Sequence, residues 1–209
     1  MTRLIVSPTD PDRAVLDCAA QAIRAGRIVA LPTDTLYGLA VDPFSDDAVE
    51  RVVAVKGRLG GHPIPLVAFD QVQVAQVGVM SPLALALARR FWPGPLTLVL
   101  PASPRVCVAV TGGTGRVGVR VPAHPVARGL CEACGQPVTA TSANRSGQPP
   151  PVDPAEVAAS LAEVDVLLDA GPAPGGPAST VVDVSEEVPR LIRPGAVSWE
   201  EVRAWAGVG

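Results

Sequence analysis

The sequence contains almost no lysine, asparagine or tyrosine. Each type occurs once, as Lys56, Asn144 and Tyr37, whereas arginine supplies 16 of the 17 cationic side chains. A GC-rich genome explains this scarcity, because the codons of all three amino acids are AT-rich and are lost wherever another residue serves. The three survivors are therefore candidates for roles that no other side chain fills.

Aromatic residues and long apolar runs are also scarce. Aromatics make up 3% of the chain and the net charge is -3, so it lacks the stacking surface and basic field typical of nucleic-acid-binding proteins. The uncharged run 71–88 is interrupted by Gln, Gly and Ser81-Pro82, which excludes a membrane span of about 20 apolar residues. The first residues do not resemble a signal peptide, so we expect a cytoplasmic protein without a membrane partner.

The four cysteines are too few and too scattered for a secreted disulfide framework. Cys131 and Cys134 match C-x-x-C, but zinc would need a second pair. A redox motif would open a helix after a strand, whereas this one ends a helical stretch before Gly135. The sequence therefore predicts ordinary, partly buried helix cysteines.

Proline, glycine and capping residues divide the chain into helices and strands. Helices are predicted from about Thr9 to Ala25 and after Ser45, Ser81, His124, Asp153 and Ser198. Short β-branched or apolar runs predict strands at 27–31, 64–69, 96–100, 106–110, 117–121, 138–141, 166–169, 180–184 and 190–193. Because several strands follow one another directly, the pattern favours an α/β fold with a single open, twisted, mixed sheet and flanking helices. Hydrophobic residues make up 48% of the chain, enough for a core, and we expect one domain over residues 1–209.

Two nucleotide-binding signatures fail on their context. Residues 113–118 match G-x-G-x-x-G, but a β-branched, proline-ended segment follows where a dinucleotide fold needs a helix. Lys56 is followed by Gly57, which excludes a Walker A loop.

Several polar segments interrupt the apolar chain. Residues 32–38 (PTDTLYG) leave the end of a predicted strand, where α/β proteins often place a site. Residues 56–58 (KGR) put two cations around a glycine, and 141–147 (TSANRSG) follow another strand. Arg120 shares a strand face with Gly118 and could clamp a carboxylate or phosphate. Each segment alone also fits an ordinary turn, a cationic helix end or an exposed strand arginine.

Together, these segments resemble a known family. The chain is similar to the YrdC/TsaC family of threonylcarbamoyl-AMP synthases at residues 32–39, 56–58, 92–100, 117–125, 141–147, 179–183 and 191–195. The resemblance covers roughly residues 12 to 206 and implies a YrdC-like fold around a positively lined cavity. It also implies the short form, without the additional C-terminal domain of longer members.

The resemblance implies a nucleotidyltransferase. The expected reaction converts L-threonine, bicarbonate or CO2, and ATP into threonylcarbamoyl-AMP and pyrophosphate, for threonylcarbamoyladenosine modification of tRNA. It assigns catalysis to Lys56 and Arg58. It assigns L-threonine binding to Thr35, Arg120, Ala140 and Ser179, and ATP binding to Arg58, His62, Arg116, Ser142, Asn144 and Arg193. Asp34 is a candidate base for the threonine amine, with a loop-capping carboxylate as the alternative.

ATP is expected as a substrate, with Mg2+ held mainly by phosphates and water, and no metal ligands are predicted in the protein. The product would pass to the tRNA threonylcarbamoyl transferase machinery, with direct tRNA binding weak or absent. An alternative is an RNA-binding module of the same fold without adenylating activity, although the net charge of -3 argues against it.

Overall fold

The computed structural model describes residues 1–57 and 61–207 and confirms a mixed α/β fold. Its strands are β1 (Thr2–Ile5), β2 (Val29–Pro32), β3 (Tyr37–Ala40), β4 (Leu66–Val67), β5 (Leu96–Pro101), β6 (Arg116–Arg120), β7 (Val138–Thr139), β8 (Thr141–Ser142), β9 (Val166–Asp169), β10 (Thr180–Asp183) and β11 (Arg190–Arg193). Its helices are α1 (Arg13–Arg24), α2 (Asp46–Lys56), α3 (Gln71–Val77), α4 (Pro82–Phe91), α5 (Val108–Thr111), α6 (Pro125–Cys134), α7 (Pro154–Ser160) and α8 (Trp199–Ala206).

The strands form two mixed sheets where the sequence predicts one. The first has the order β1-β9-β2-β3-β8 and the second the order β11-β10-β5-β6-β4-β7. They meet at residues 138–142, where β7 pairs with β4 in one sheet and β8 pairs with β3 in the other. The N–H of Ala140, between β7 and β8, donates to the carbonyl of Pro65 (2.8 Å). One short segment therefore joins both sheets, and the predicted strand 138–141 is divided by this crossing.

Most predicted helix starts are confirmed by their caps. The side chains of Ser45, Ser81 and Asp153 each accept a backbone N–H in the first turn, and Ser198 forms a capping box with Glu201. The first helix is the exception, because Asp12 and not Thr9 is its cap.

The predicted strand 106–110 is wrong. The chain forms α5 there, because β6 pairs directly with β5 and leaves the connecting residues no sheet edge. The N–H of Val110 instead donates to the carbonyl of Cys107 (3.0 Å). The prediction also missed β1, β3 and α3.

The apolar core lies on both sides of the sheets. Leu66, Leu96, Leu98 and Leu100 are fully buried in one cluster, and Leu31, Leu130 and Leu168 belong to a second one beneath α1 and α6. Within the described part of the chain, no helix is both long and apolar enough to cross a lipid bilayer.

Candidate active site

A cavity of about 720 Å³ opens where the two sheets meet. Three strands of the six-stranded sheet, β5, β6 and β10, form its floor, and the loop between β2 and β3 forms one wall. It contains seven of the predicted site residues, namely Thr35, Arg116, Arg120, Ala140, Ser142, Ser179 and Arg193. Residues from both halves of the sequence therefore converge on one site.

The floor of the cavity follows from strand alternation. On β6, Val117 and Val119 are fully buried in the core, while Arg116, Gly118 and Arg120 line the cavity. A β-carbon built on Gly118 would lie 3.4 Å from Cγ2 of Thr97, which is ordinary contact. The fold itself thus tolerates a side chain at Gly118, and the glycine keeps the middle of the floor open to a ligand.

Arg120 is a buried cation aimed into the cavity. Its Nη1 lies 3.3 Å from Oδ2 of Asp34, and both side chains are almost inaccessible to solvent. Burial lowers the pKa of Arg120, the charge of Asp34 opposes this, and the nearby cation Arg193 adds to the lowering. The other oxygen of Asp34 accepts the backbone N–H of His124 (2.6 Å). Asp34 therefore holds both the guanidinium and the start of α6.

Ser179 and Arg193 form a second polar group in the same cavity. The guanidinium of Arg193 donates through Nη2 to the carbonyl (2.8 Å) and the hydroxyl (3.1 Å) of Ser179. The hydroxyl of Thr97 donates to Oγ of Ser179 at 2.9 Å. Arg193, assigned to ATP by resemblance, thus lies against a residue assigned to threonine.

Arg116 is held by carboxylates at the far end of the floor. Its Nη1 lies 2.8 Å from Oδ2 of Asp183 and its Nη2 lies 3.1 Å from Oε1 of Glu186. Asp183 also accepts from Ser185 and Arg190, and it is nearly buried. An ATP contact by Arg116 would need this guanidinium to share its donors with a phosphate or ribose oxygen.

A smaller depression of about 440 Å³ adjoins the cavity at Ser142, which lines both. Lys56, His62 and Asn144 also line it. These four residues include three of the six assigned to ATP. Arg58, assigned to both catalysis and ATP, lies outside the described residues.

Lys56 ends α2 and is only 4% exposed. Its ammonium donates to the carbonyl of Ser142 and to the carbonyl (2.9 Å) and Oδ1 (3.3 Å) of Asn144. The same Oδ1 accepts the hydroxyl of Ser142 (2.6 Å). Gly57 adopts the left-handed conformation that ends the helix. The rare Lys56 and Asn144 thus build one network, which shapes the loop 141–147.

The third rare residue has a structural position. Tyr37 is fully buried, its hydroxyl donates to the carbonyl of Gly171 (2.7 Å), and it accepts the N–H of Ala170 (3.3 Å). Burial raises the pKa of Tyr37 to about 12, so the phenol stays neutral. It ties β3 to the loop after β9.

Two remaining threonine-site assignments differ in what they can offer. Thr35 is buried with its Oγ1 3.5 Å from that of Thr33. The N–H of Ala140 is taken by Pro65, so a ligand contact at Ala140 would use its carbonyl oxygen.

Sequence reasoning missed Thr97 and Asp183 as site residues. Thr97 lies on β5 and Asp183 on β10, and the sequence pattern alone does not show which side of these strands faces the cavity and which faces the core. The polar residues within otherwise apolar strand runs, LTLVL and TVVD, were the available signal.

The two C-x-x-C cysteines lie away from this cavity on α6, with Cys131 buried and Cys134 half-buried. Burial raises the pKa of both thiols, that of Cys134 to about 12, so they are protonated at neutral pH. Among the described residues, no three His, Cys, Asp or Glu side chains cluster closely enough to hold a metal ion.

Known proteins resemble this chain over most of its length. The chain is 41% identical to a threonylcarbamoyl-AMP synthase of Pyrococcus abyssi over 192 residues, which is 90% of the chain and 56% of that protein. It is 37% identical to the Bacillus subtilis enzyme of the same name over 205 residues, 97% of the chain and 58% of that protein. The chain therefore spans little more than half the length of these relatives.

The fold of the chain also matches a solved structure. The crystal structure of Pyrococcus abyssi Sua5 complexed with L-threonine matches with a TM-score of 0.93 and 38% identity, covering 99% of the chain and 61% of that protein. The family model Sua5_yciO_yrdC, described as telomere recombination, matches residues 21–195. With this match over most of the sequence and fold, the chain belongs to the Sua5/YciO/YrdC family.

Proposed function

We propose that the chain is an L-threonylcarbamoyladenylate synthase. One observation carries the proposal: the buried Arg120 and the hydroxyl of Ser179 line the same cavity, in a chain whose fold matches that of a relative solved in complex with L-threonine. The names of two relatives near 40% identity agree with this activity. The products would be threonylcarbamoyl-AMP and pyrophosphate.

The main cavity suits the amino acid. A guanidinium can bind a carboxylate through two parallel hydrogen bonds, and Arg120 keeps donors available beyond the one that faces Asp34. Its burial strengthens such a contact, because little water competes for the charge. The carbonyl of Ala140 and the hydroxyl of Thr35 are suited to the amine and side chain of threonine.

The depression around Lys56 suits the nucleotide. Phosphoryl transfer depends chiefly on positioning and charge neutralisation, and Lys56 supplies a fixed positive charge. Ser142 and Asn144 add neutral hydrogen-bonding groups, and His62 lies at the same depression. Ser142 lines both spaces, so a carbamate formed on threonine would lie beside the α-phosphate that it attacks.

Mg2+ fits this proposal as a companion of the nucleotide and not as a protein-bound ion. Asp183, a carboxylate that lines the cavity, is already engaged by Arg116, Arg190 and Ser185. Phosphate oxygens and water would therefore supply most ligands, as is common for this cation, which would neutralise charge on the pyrophosphate.

The product would serve tRNA threonylcarbamoylation and would be passed to a separate transferase. The competing hypothesis of an RNA-binding module gains no support, because the arginines of the cavity are held by Asp34, Asp183, Glu186 and Ser179 and do not form an open basic surface.

The test is pyrophosphate release by the purified chain. We expect release from ATP only when both L-threonine and bicarbonate are present, together with an adenylate that carries label from each. Arg24→Gln, a change in an exposed residue of α1, serves as a control with unchanged turnover. Release that is indifferent to threonine would reject the proposal.

A further inference from the structure

The hydroxyl of Ser179 is surrounded by donors. Thr97 Oγ1 donates to Ser179 Oγ at 2.9 Å and Arg193 Nη2 donates at 3.1 Å. A serine hydroxyl has two acceptor sites and one O–H donor. Both acceptor sites are therefore occupied by the protein itself.

The proton of Ser179 has to point elsewhere. Arg193 carries no acceptor, and the hydroxyl of Thr97 has committed its proton to the bond. Among residues 1–57 and 61–207, the structure shows no hydrogen bond donated by this O–H to a protein acceptor, and Ser179 lines the cavity. The remaining direction is into the cavity, so a ligand atom beside Ser179 must be an acceptor.

The local charge selects the kind of acceptor. Arg193 contacts Ser179 directly, and it is near enough to Arg120 to lower the pKa of that guanidinium. Two cations and one outward O–H favour a carboxylate and repel an ammonium group. The amino acid would thus enter with its carboxylate toward Ser179 and its amine away from it.

We infer that Thr97 is a positioning residue that turns Ser179 into an obligate donor for the carboxylate of the amino-acid substrate. This inference rests on the proposed function for the identity of that substrate. Thr97 is suited to the role because it is 3% exposed, lies on the central strand β5, and is paired in register with Val181 of β10. β-branching restricts its χ1 rotamers, which limits the positions that its hydroxyl oxygen can take.

The inference can be tested by binding alone, without turnover. The full chain is titrated calorimetrically with L-threonine and with L-threoninol, in which CH2OH replaces the carboxylate. Thr97→Val keeps the shape of the side chain and removes the donor. We expect about tenfold weaker threonine binding, the worth of one hydrogen bond to a charged group, and less than twofold change for threoninol. Thr97→Ser should restore threonine binding. In turnover, the KM for threonine should rise while kcat and the KM for ATP stay within twofold.

Thr180→Val is the matched control for lost stability. Thr180 is buried on β10, and its hydroxyl bonds to Val197 instead of any cavity residue. We expect it to lower the melting temperature and leave threonine affinity unchanged. The inference would be overturned if Thr97→Val weakened the binding of threonine and threoninol equally, or weakened neither. Wild-type protein that binds threonine without releasing pyrophosphate would reject the proposed function and leave this test intact.

Discussion

Asp34 holds two partners at once, and this decides between its two possible roles. One oxygen accepts from Arg120 and the other from the backbone of His124. A carboxylate committed in this way is suited to orient the guanidinium and poorly suited to remove a proton from the substrate. At the scale of the residue, we therefore favour Asp34 as an anchor for Arg120.

Asp34→Asn separates the two roles. The amide oxygen can still accept from His124, but the amide NH2 would face Arg120 and lose the ion pair. We expect the KM for threonine to rise about tenfold with kcat and its pH profile nearly unchanged. Asp10→Asn, at an exposed position, should leave steady-state kinetics unaltered. A general base would instead cost 10²–10⁴-fold in kcat and alter its pH profile, and that result would refute the anchor.

Single residues also mark what sequence can and cannot reveal. Lys56 and Asn144 are the only residues of their types in the sequence, and the structure joins them by two hydrogen bonds. Tyr37 is equally rare, yet its side chain is buried and its hydroxyl bonds to the backbone of Gly171. The rarity of a residue type therefore does not distinguish a catalytic role from a packing role. Thr97 escaped notice because its role depends on the proximity of β5 to β10, which are about 80 residues apart in the sequence.

At the scale of the element, the start of α6 contains a titratable cap. Nδ1 of His124 accepts the N–H of Val126 (3.3 Å), which requires that nitrogen to be unprotonated. Burial lowers the pKa of His124 in the folded protein, and the charge of Asp34 opposes this only partly. Between this lowered pKa and the value of about 6.5 in the unfolded chain, the unfolded state binds more protons. Neutral His124 therefore stabilises the folded protein fully above pH 6.5. This stabilisation is lost as the pH falls from 6.5 through the lowered pKa of the folded state.

His124→Asn tests this dependence. Asparagine is a good N-cap and does not titrate, so the variant should fold. Between pH 7 and pH 5, its free energy of unfolding should decrease less than that of the wild-type protein. The difference in slope can reach about 1.4 kcal/mol per pH unit, the value for one proton. Urea unfolding at several pH values measures it. Parallel stability curves for the two proteins would contradict the prediction.

Elements with local signals were predictable and those without them were not. Helix starts carry their caps in the sequence, as Ser45, Ser81 and Ser198 demonstrate. The β-branched run 106–110 lacks a neighbouring strand to pair with, and pairing is a property of the whole sheet, so its helical outcome could not be read locally. Strand β3 was hidden within a polar loop motif for a similar reason, since its partners β2 and β8 supply its hydrogen bonds.

At the scale of the whole molecule, the α/β class and the family were predictable because the conjunction of motifs is specific. The division into two sheets was not, because it depends on where a single segment changes partners. The prediction of one domain over residues 1–209 stays a prediction. The cavity owes its position to this division, since strands of both sheets supply its walls.

The crossing at residues 138–142 also governs how the molecule can open. The amides of Thr139 and Ala143 donate to Val41 and Tyr37 beside the five-stranded sheet, whereas that of Ala140 donates to Pro65 beside the six-stranded one. Neither sheet can separate without breaking bonds of this segment, so the two should unfold as one cooperative unit. In native-state hydrogen exchange, we expect these three amides to exchange only through global unfolding, as slowly as the amides of β2 and β5. Faster exchange at Ala140 than in both strands would mean that the sheets part before the molecule unfolds.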